Sequence, residues 1–165
     1  MAGLVRSWME RIAARAAEVS PVRQAGAIPY TIIEGRTVFL LITSRRSGRW
    51  IFPKGAPIEG HAPWQVAARE AYEEAGVEGE IEMTPLGFYR TLKRTIPPAL
   101  IDVDMYPLRL IRQLDDWPER GTRHRHWVIL PEARRLLSDP RLVALATALD
   151  RRATGGQPAT ARISA

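Results

Sequence analysis

Cysteine is absent from this sequence of 165 residues. Its absence excludes disulfide bonds, zinc–thiolate sites and thiol nucleophiles. Long apolar runs are also missing, since no segment approaches the roughly 20 residues that a membrane-spanning helix needs. The first residues lack the continuous apolar core of a signal peptide, and Glu10 and Glu18 are atypical of a mitochondrial transit peptide. We therefore expect a cytoplasmic protein without a membrane partner.

Basic residues are in excess, with 24 Lys and Arg against 18 Asp and Glu and a net charge of +6. This balance favours a polyanionic partner, which can be a nucleic acid, a membrane surface or a phosphorylated small molecule. Compositional bias on solvated faces explains the same excess, so charge alone does not choose among these partners. No RNA-binding motif is present, and we expect a phosphorylated small molecule rather than a nucleic acid.

The length fits one domain with its own hydrophobic core. Residues 1–20 carry an amphipathic pattern that predicts a helix over 3–19, ending before Pro21 and packing on the domain or at a dimer interface. Residues 21–152 form the predicted domain. From 153 to 165 the composition turns to Thr, Gly, Gln, Pro and Ala, which predicts a disordered tail. Monomer and homodimer both remain open.

Hydrophobic periodicity predicts an alternation of strands and helices. Residues Glu34 and Gly35 indicate a hairpin turn, and the apolar run 38–42 indicates a central strand that is buried on both faces. The predicted strands are 24–33, 37–43, 79–92, 100–111 and 125–130. The predicted helices are 63–75, 131–137 and 140–152, and a polar loop spans 115–123.

The helix predicted at 63–75 has an acidic face opposite a stripe of mostly small apolar residues. Glu70, Glu73 and Glu74 are three or four residues apart, which brings their carboxylates together on that face. Like charges at this spacing need a compensating partner. Arg69 can pair with Glu73 at i+4, and a divalent cation such as Mg²⁺ takes carboxylate oxygens. A solvated acidic face is the alternative interpretation.

The spacing around this helix is more specific than its charge. The chain has Gly55, then His61, and residues 69–77 read REAYEEAGV. This pattern resembles the Nudix hydrolase signature Gly-x5-Glu-x7-Arg-Glu-U-x-Glu-Glu-x-Gly-U, where U is a bulky aliphatic residue. Seven of the nine specified positions match, and the departures are His61 for glutamate and Ala71 for the first U. A match of this length is a strong signal.

The resemblance implies a fold, an activity and a set of site residues. The implied fold is α/β, a Nudix-type α/β/α sandwich in which helices flank a central mixed β-sheet. Enzymes of this family hydrolyse a diphosphate bond with divalent metal. Carried over, the metal ligands are Glu70, Glu73, Glu74 and the carbonyl of Gly55, and Arg69 orients a glutamate. The catalytic candidates are Glu70, Glu73 and Arg69, and the implied cofactor is Mg²⁺, with Mn²⁺ as the alternative.

The flanking segments resemble one branch of the family. Residues 50–55, 114–117 and 123–127 are similar to the diphosphoinositol polyphosphate phosphohydrolases. This similarity implies a substrate with many phosphates, either a diphosphoinositol polyphosphate or a diadenosine polyphosphate. The basic residues predicted to bind it are Arg45, Arg49, Lys54, Arg123 and Arg125. The alternatives are a nucleotide or sugar-nucleotide pyrophosphatase, and a degenerate Nudix domain that binds a phosphorylated ligand without turnover.

Two histidines stand where the resemblance calls for glutamate. His61 replaces the glutamate of Gly-x5-Glu, and His126 replaces the glutamate that precedes the tryptophan of the late strand. Imidazole binds Mg²⁺ poorly and suits Mn²⁺, Zn²⁺ or other transition metals. One hypothesis is therefore that His61 or His126 shifts the metal preference or hydrogen-bonds phosphate. The other is that both lie on the surface or behind the ligands.

Overall fold

The computed structural model describes residues 21–93, 96 and 98–155. The helix predicted at 3–19 lies outside the described residues. The last helix continues to Thr154, so residues 153 and 154, which were predicted as the start of a disordered tail, are helical. Residues 156–165 also lie outside the described residues.

A hairpin begins the described chain. Strand β1 (Val22–Ile33) pairs antiparallel with β2 (Arg36–Thr43), with Ile33 opposite Arg36. The turn between them places Glu34 at φ 50° and Gly35 at φ 75°. Positive φ at both turn residues matches the twist of the flanking strands, which is why Gly suits the second position. The predicted hairpin is confirmed.

The sheet is mixed, as the resemblance implied. The strands that follow the hairpin are β3 (Trp50–Ile51), β4 (Lys54–Gly55), β5 (Val77–Ile81), β6 (Gly87–Lys93), β7 (Ala99–Gln113) and β8 (Arg125–Ile129). The central path of the sheet runs β3-β2-β1-β7-β5, with β4 on β1, β6 on β7 and β8 on β2. Strands β1 and β7 are parallel, and the other strand pairs are antiparallel.

The prediction of a single strand at 79–92 is wrong. The segment forms two strands, β5 and β6, separated by residues 82–86. Both pair with β7, Ile81 opposite Leu108 and Gly87 opposite Met105. Pro85 lies in the break, and it has no N–H to donate to a strand ladder.

Three helices flank the sheet. Helix α1 (Pro63–Glu70) begins at a proline, and the Gln65 side chain accepts the Ala62 N–H at 2.8 Å. The α-helix continues as one π-helical turn over Ala71–Ala75, so the predicted helix at 63–75 is confirmed with a change of winding. Helices α2 (Leu130–Leu136) and α3 (Pro140–Thr154) follow β8.

Two apolar clusters, one on each face of the sheet, make the α/β/α sandwich. Along β2, Leu40 and Ile42 belong to the cluster under α1, whereas Phe39 and Leu41 belong to the cluster under α2 and α3. This alternation confirms β2 as a central strand that is buried on both faces. On the helix side, Val66 and Ala67 of α1 and Ala71 and Ala75 of the π-helical turn make the contact with the sheet. In the described part of the chain, no helix is long and apolar enough to cross a membrane.

Gly76 ends the π-helical turn in the left-handed region, at φ 65°. A Cβ at this position would lie 2.7 Å from the Trp117 ring and 2.8 Å from a guanidinium nitrogen of Arg125. We expect Gly76→Ala to lower the free energy of unfolding by about 2 kcal/mol, since backbone strain and a clash add together. Urea denaturation measures this loss. Gly121→Ala is the control, because its Cβ would meet nothing within 4 Å; equal stability of the two variants would contradict the prediction.

Candidate metal and phosphate site

Glu74 is the most buried carboxylate of the acidic helix, with a side chain that is only 9% exposed. One carboxylate oxygen, Oε2, accepts the backbone N–H of Lys54 at 3.1 Å. The other, Oε1, pairs with the guanidinium of Arg123. Burial raises the pKa of Glu74 to about 7, and Arg123 and the Lys54 N–H act in the opposite direction. The fold therefore gives a buried carboxylate one partner for each oxygen.

Glu70 lies directly against the backbone of β4. A Cβ built at Gly55 would be 1.9 Å from Oε1 of Glu70, so only glycine leaves room for this carboxylate. Burial, followed by the nearby charge of Glu73, raises the pKa of Glu70. Among the described residues, no hydrogen bond or ion pair involves the Glu70 side chain. Glu70 and Glu74 thus both approach β4, one at Gly55 and the other at Lys54.

Glu73 has a different partner. Its Oε1 accepts the Nε–H of Arg69 at 2.7 Å, as the i+4 spacing predicts. Both side chains are substantially exposed, so the pair adds little stability. Across residues 21–93, 96 and 98–155, no three acidic or histidine side chains converge on one point. The structure brings Glu70 and Glu74 to one strand and leaves Glu73 paired with Arg69.

The donor set fits a hard divalent cation. Its members are carboxylate oxygens and the carbonyl of Gly55, and both kinds of oxygen suit Mg²⁺ and Mn²⁺. The close approach of Glu70 to Gly55 is the structural feature that favours such a site, because it brings a carboxylate against the glycine whose carbonyl is the other candidate ligand.

A basic cavity of about 540 Å³ adjoins β4. Its cations are Arg46, Arg49 and Lys54, so it contains two of the residues that the sequence predicted for substrate. Arg46 lies in the same basic turn as Arg45 and Arg49. Arg45 instead contacts Glu119 at 3.5 Å. The other residues that line the cavity are Gln24, Ser44, Ser47, Thr91, Leu92 and Ile101.

Arg123 and Arg125, which the sequence predicted for substrate binding, both have partners within the protein. Arg123 is buried, and it contacts Glu74, Glu119 and the carbonyl of Thr43. Arg125 donates to backbone carbonyls and lies 3.9 Å from the ring centroid of Trp117. The accepting carbonyls are those of Ala75 at 3.1 Å, Gly76 at 3.4 Å and Leu114 at 2.8 Å. Neither arginine is among the described residues that line the basic cavity.

Both histidines are exposed, and each has a hydrogen-bond partner other than the three glutamates of the acidic helix. His61 Nδ1 lies 3.1 Å from the carbonyl oxygen of Glu59. His126 Nε2 lies 3.2 Å from Glu132, and its ring packs 5.9 Å from that of Trp50. In the described ranges, no hydrogen bond joins either histidine to Glu70, Glu73 or Glu74. These positions agree with the hypothesis that both histidines lie on the surface of the protein.

A sequence model of the NUDIX domain matches residues 22–137, which is more than half of the chain. The region includes β4, the acidic helix and the loop that carries Arg123. The chain therefore belongs to the Nudix family, and the family resemblance of residues 55–77 is confirmed.

Three curated relatives illustrate the similarity. Nudix hydrolase 16, mitochondrial, of Arabidopsis thaliana is 36% identical over 124 residues, covering 66% of this chain and 68% of the relative. Nudix hydrolase 12, mitochondrial, from the same plant is 30% identical over 127 residues, covering 66% and 63%. Diphosphoinositol polyphosphate phosphohydrolase 2 of Rattus norvegicus is 32% identical over 102 residues, covering 61% and 54%. The chain spans less than two thirds of the length of the last two.

Solved structures share the fold at low sequence identity. A binary complex of the C. elegans Ap4A hydrolase has a TM-score of 0.62 and 22% identity, covering 81% of this chain and 98% of the other. The NUDIX domain of Shewanella oneidensis NrtR, solved with ADP ribose, has a TM-score of 0.63 and 17% identity, covering 83% and 91%. These similarities confirm the predicted fold class.

The contact between Gly55 and Glu70 generates a prediction. In Gly55→Ala, the new Cβ displaces the end of a flexible side chain, so stability changes little while the carboxylate moves. We expect the affinity for Mn²⁺ to fall by about tenfold or more, as for other changes that disturb the orientation of a ligand. Titration calorimetry measures the Mn²⁺ affinity of this variant, and Gly121→Ala is the control. An unchanged Mn²⁺ affinity in Gly55→Ala would remove Glu70 from the site.

Proposed function

We propose that this chain is a divalent-metal-dependent hydrolase that cleaves a diphosphate bond in a highly phosphorylated small molecule. The observation that carries the proposal is the position of Lys54. Its backbone N–H holds the Glu74 carboxylate, and the residue also lines the basic cavity. A polyphosphate in the cavity would therefore lie beside the proposed metal ligands.

The two halves of the site have complementary tasks. Arg46, Arg49 and Lys54 supply positive charge and N–H donors for phosphate oxygens, and such charge-assisted hydrogen bonds are strong. Glu70, Glu74 and the Gly55 carbonyl would hold the divalent cation, with Glu73 as a further ligand. When bound, the cation neutralises phosphate charge and lowers the pKa of an attacking water. Neither task succeeds alone, since a polyanion repels an anionic nucleophile.

Glu70 is our candidate for the general base. Glu74 is paired with Arg123 and Glu73 is paired with Arg69, whereas Glu70 has no such partner among the described residues. Glu70 would take the proton of the attacking water at a carboxylate oxygen.

The lining of the cavity favours diphosphoinositol polyphosphates as substrates. Nucleobase recognition uses aromatic side chains for stacking, and the described residues that line the cavity include no aromatic one. The cavity volume of about 540 Å³ suits a small molecule with several phosphate groups. The relative from Rattus norvegicus is named for diphosphoinositol polyphosphate, which supports this choice. Diadenosine polyphosphates are the second choice, in keeping with the Ap4A hydrolase of similar fold.

A substrate panel tests the proposal. The protein is incubated with diphosphoinositol pentakisphosphate, Ap4A or ADP-ribose in the presence of Mg²⁺ or Mn²⁺, and product formation is followed by chromatography. We expect the highest kcat/KM on diphosphoinositol pentakisphosphate. In Glu74→Gln, we expect kcat to fall about a hundredfold or more, since a group that supports the charged transition state is lost.

Glu78→Gln is the matched control, because Glu78 is an exposed glutamate in an ion pair with Arg112 on the sheet. Its activity should equal that of the wild type. Wild-type protein that binds these compounds without turning over any of them would support a binding domain instead. Faster turnover of ADP-ribose would support the nucleotide pyrophosphatase alternative, and turnover that survives Glu74→Gln would refute the site.

A further inference from the structure

Arg123 connects the buried end of the acidic helix to two other segments. One guanidinium nitrogen, Nη2, pairs with Oε1 of Glu74, and Nε pairs with Glu119. The other terminal nitrogen, Nη1, donates to the carbonyl of Thr43 at 3.0 Å. The guanidinium group thus contacts the π-helical turn, the loop before β8 and the end of β2 at once.

The burial of this arginine separates it from the arginines of the basic cavity. Its side chain is 6% exposed, whereas Arg46 and Arg49 are exposed residues. All three guanidinium nitrogens already donate to protein acceptors. The two N–H bonds that remain belong to a side chain that is almost fully buried, so little of the guanidinium group is open to a phosphate.

The partners of Arg123 are themselves held in place. The backbone N–H of Glu119 donates to the carbonyl of Glu73 at 3.1 Å, which joins the loop to the π-helical turn. Thr43 N–H donates to the carbonyl of His124 at 3.0 Å, and Thr43 Oγ1 accepts the His124 N–H at 2.9 Å. Arg123 therefore has little freedom to turn toward the cavity.

The same contacts restrict Glu74. Arg123 holds one carboxylate oxygen and the Lys54 N–H holds the other, so the plane of the carboxylate is defined from two sides. Without Arg123, a buried anion would lose the one ionic partner that it has among the described residues, and the side chain would be driven toward solvent because an unpaired buried charge is costly. A displaced Glu74 could no longer share a cation with Glu70 at β4.

We propose that Arg123 is a positioning residue that orients the Glu74 carboxylate for metal binding, with Glu119 holding Arg123, and that it does not contact substrate. This inference rests on the proposed function, in which Glu74 is a metal ligand. Removal of the guanidinium should therefore weaken metal binding and leave phosphate binding intact. A substrate-contacting arginine would show the opposite pattern.

The test measures two affinities of the full chain. Mn²⁺ binding is titrated without any phosphate compound, and binding of inositol hexakisphosphate, which has no diphosphate bond, is titrated without metal. In Arg123→Lys, the charge remains but one ammonium cannot replace three directed contacts. We expect Mn²⁺ affinity to fall about tenfold or more, the usual effect of losing a residue that orients a ligand, while inositol hexakisphosphate affinity stays within about twofold of wild type.

A double-mutant cycle is completed by Glu74→Gln and by the variant that carries both substitutions. If Arg123 acts through Glu74, the loss of Mn²⁺ affinity in Arg123→Lys/Glu74→Gln will be well below the product of the two single losses, because contacting residues are not additive. Arg112→Lys removes a guanidinium from an exposed ion pair with Glu78 and should change neither affinity. Should Arg123→Lys fail to fold, Glu119→Gln gives the same test, with a smaller loss of Mn²⁺ affinity expected.

The outcomes separate this inference from the proposed function. Mn²⁺ affinity that falls in Glu74→Gln but not in Arg123→Lys or Glu119→Gln would overturn the inference and leave the metal site standing. Loss of inositol hexakisphosphate affinity with intact Mn²⁺ affinity would make Arg123 a substrate contact and overturn it as well. Mn²⁺ affinity that is unchanged in Glu74→Gln would contradict the proposed function itself.

Discussion

The buried carboxylate of Glu74 imposes the strongest constraint on this molecule. A carboxylate that is more than nine-tenths buried must be hydrogen-bonded or paired, because an isolated charge in a protein interior is very costly. Here the Lys54 N–H satisfies one oxygen and the Arg123 guanidinium the other. Through these two contacts, β4, the π-helical turn and the loop before β8 depend on one another, although the residues lie 20 and 49 positions apart from Glu74.

The architecture explains why such a cluster forms at β4. Helix α1 lies close to the sheet because its contact face consists of Val66 and small alanines. Gly55 then lets the Glu70 carboxylate reach the strand, and the π-helical turn adds Glu74 at Lys54. The basic turn after β2 lies at the same edge and forms part of the cavity. Opposite charges therefore meet at β4, an arrangement suited to a metal ion and a polyphosphate together.

Much of the fold could be predicted from the sequence, and the failures have physical causes. The hairpin has a turn signal at Glu34 and Gly35, the strand at 38–42 is a continuous apolar run, and the helix at 63–75 has clear signals at both ends; all three are confirmed. Strands β3 and β4 have two residues each, so neither shows a period, and they exist only because β2 and β1 pair with them. The break in the strand predicted at 79–92 depends on where β7 offers partners.

The candidate site, like the fold, could be predicted where its residues are neighbours on one helix and not where it depends on packing between distant segments. Glu70, Glu73, Glu74 and Arg69 lie on one helix, so their spacing predicted the Arg69–Glu73 pair correctly. It did not show that Glu73 stays with Arg69 while Glu70 and Glu74 approach β4, because the helix changes to π winding at Ala71. Arg123 and Arg125 lie in a loop and a strand whose packing against the helix is not local, and their motif could not show that both guanidinium groups are used by protein acceptors. The position of His61 beside the Glu59 carbonyl could not be predicted from the sequence either.

The most direct test of the central claim is an anomalous difference map from crystals grown with Mn²⁺. The account predicts a single strong peak within ligand distance, roughly 2.2 Å, of the carboxylates of Glu70 and Glu74 and the carbonyl of Gly55, and its disappearance in Glu74→Gln crystals. A peak at His61 or His126, or none near β4 under conditions that saturate Mn²⁺ binding in solution, would contradict it.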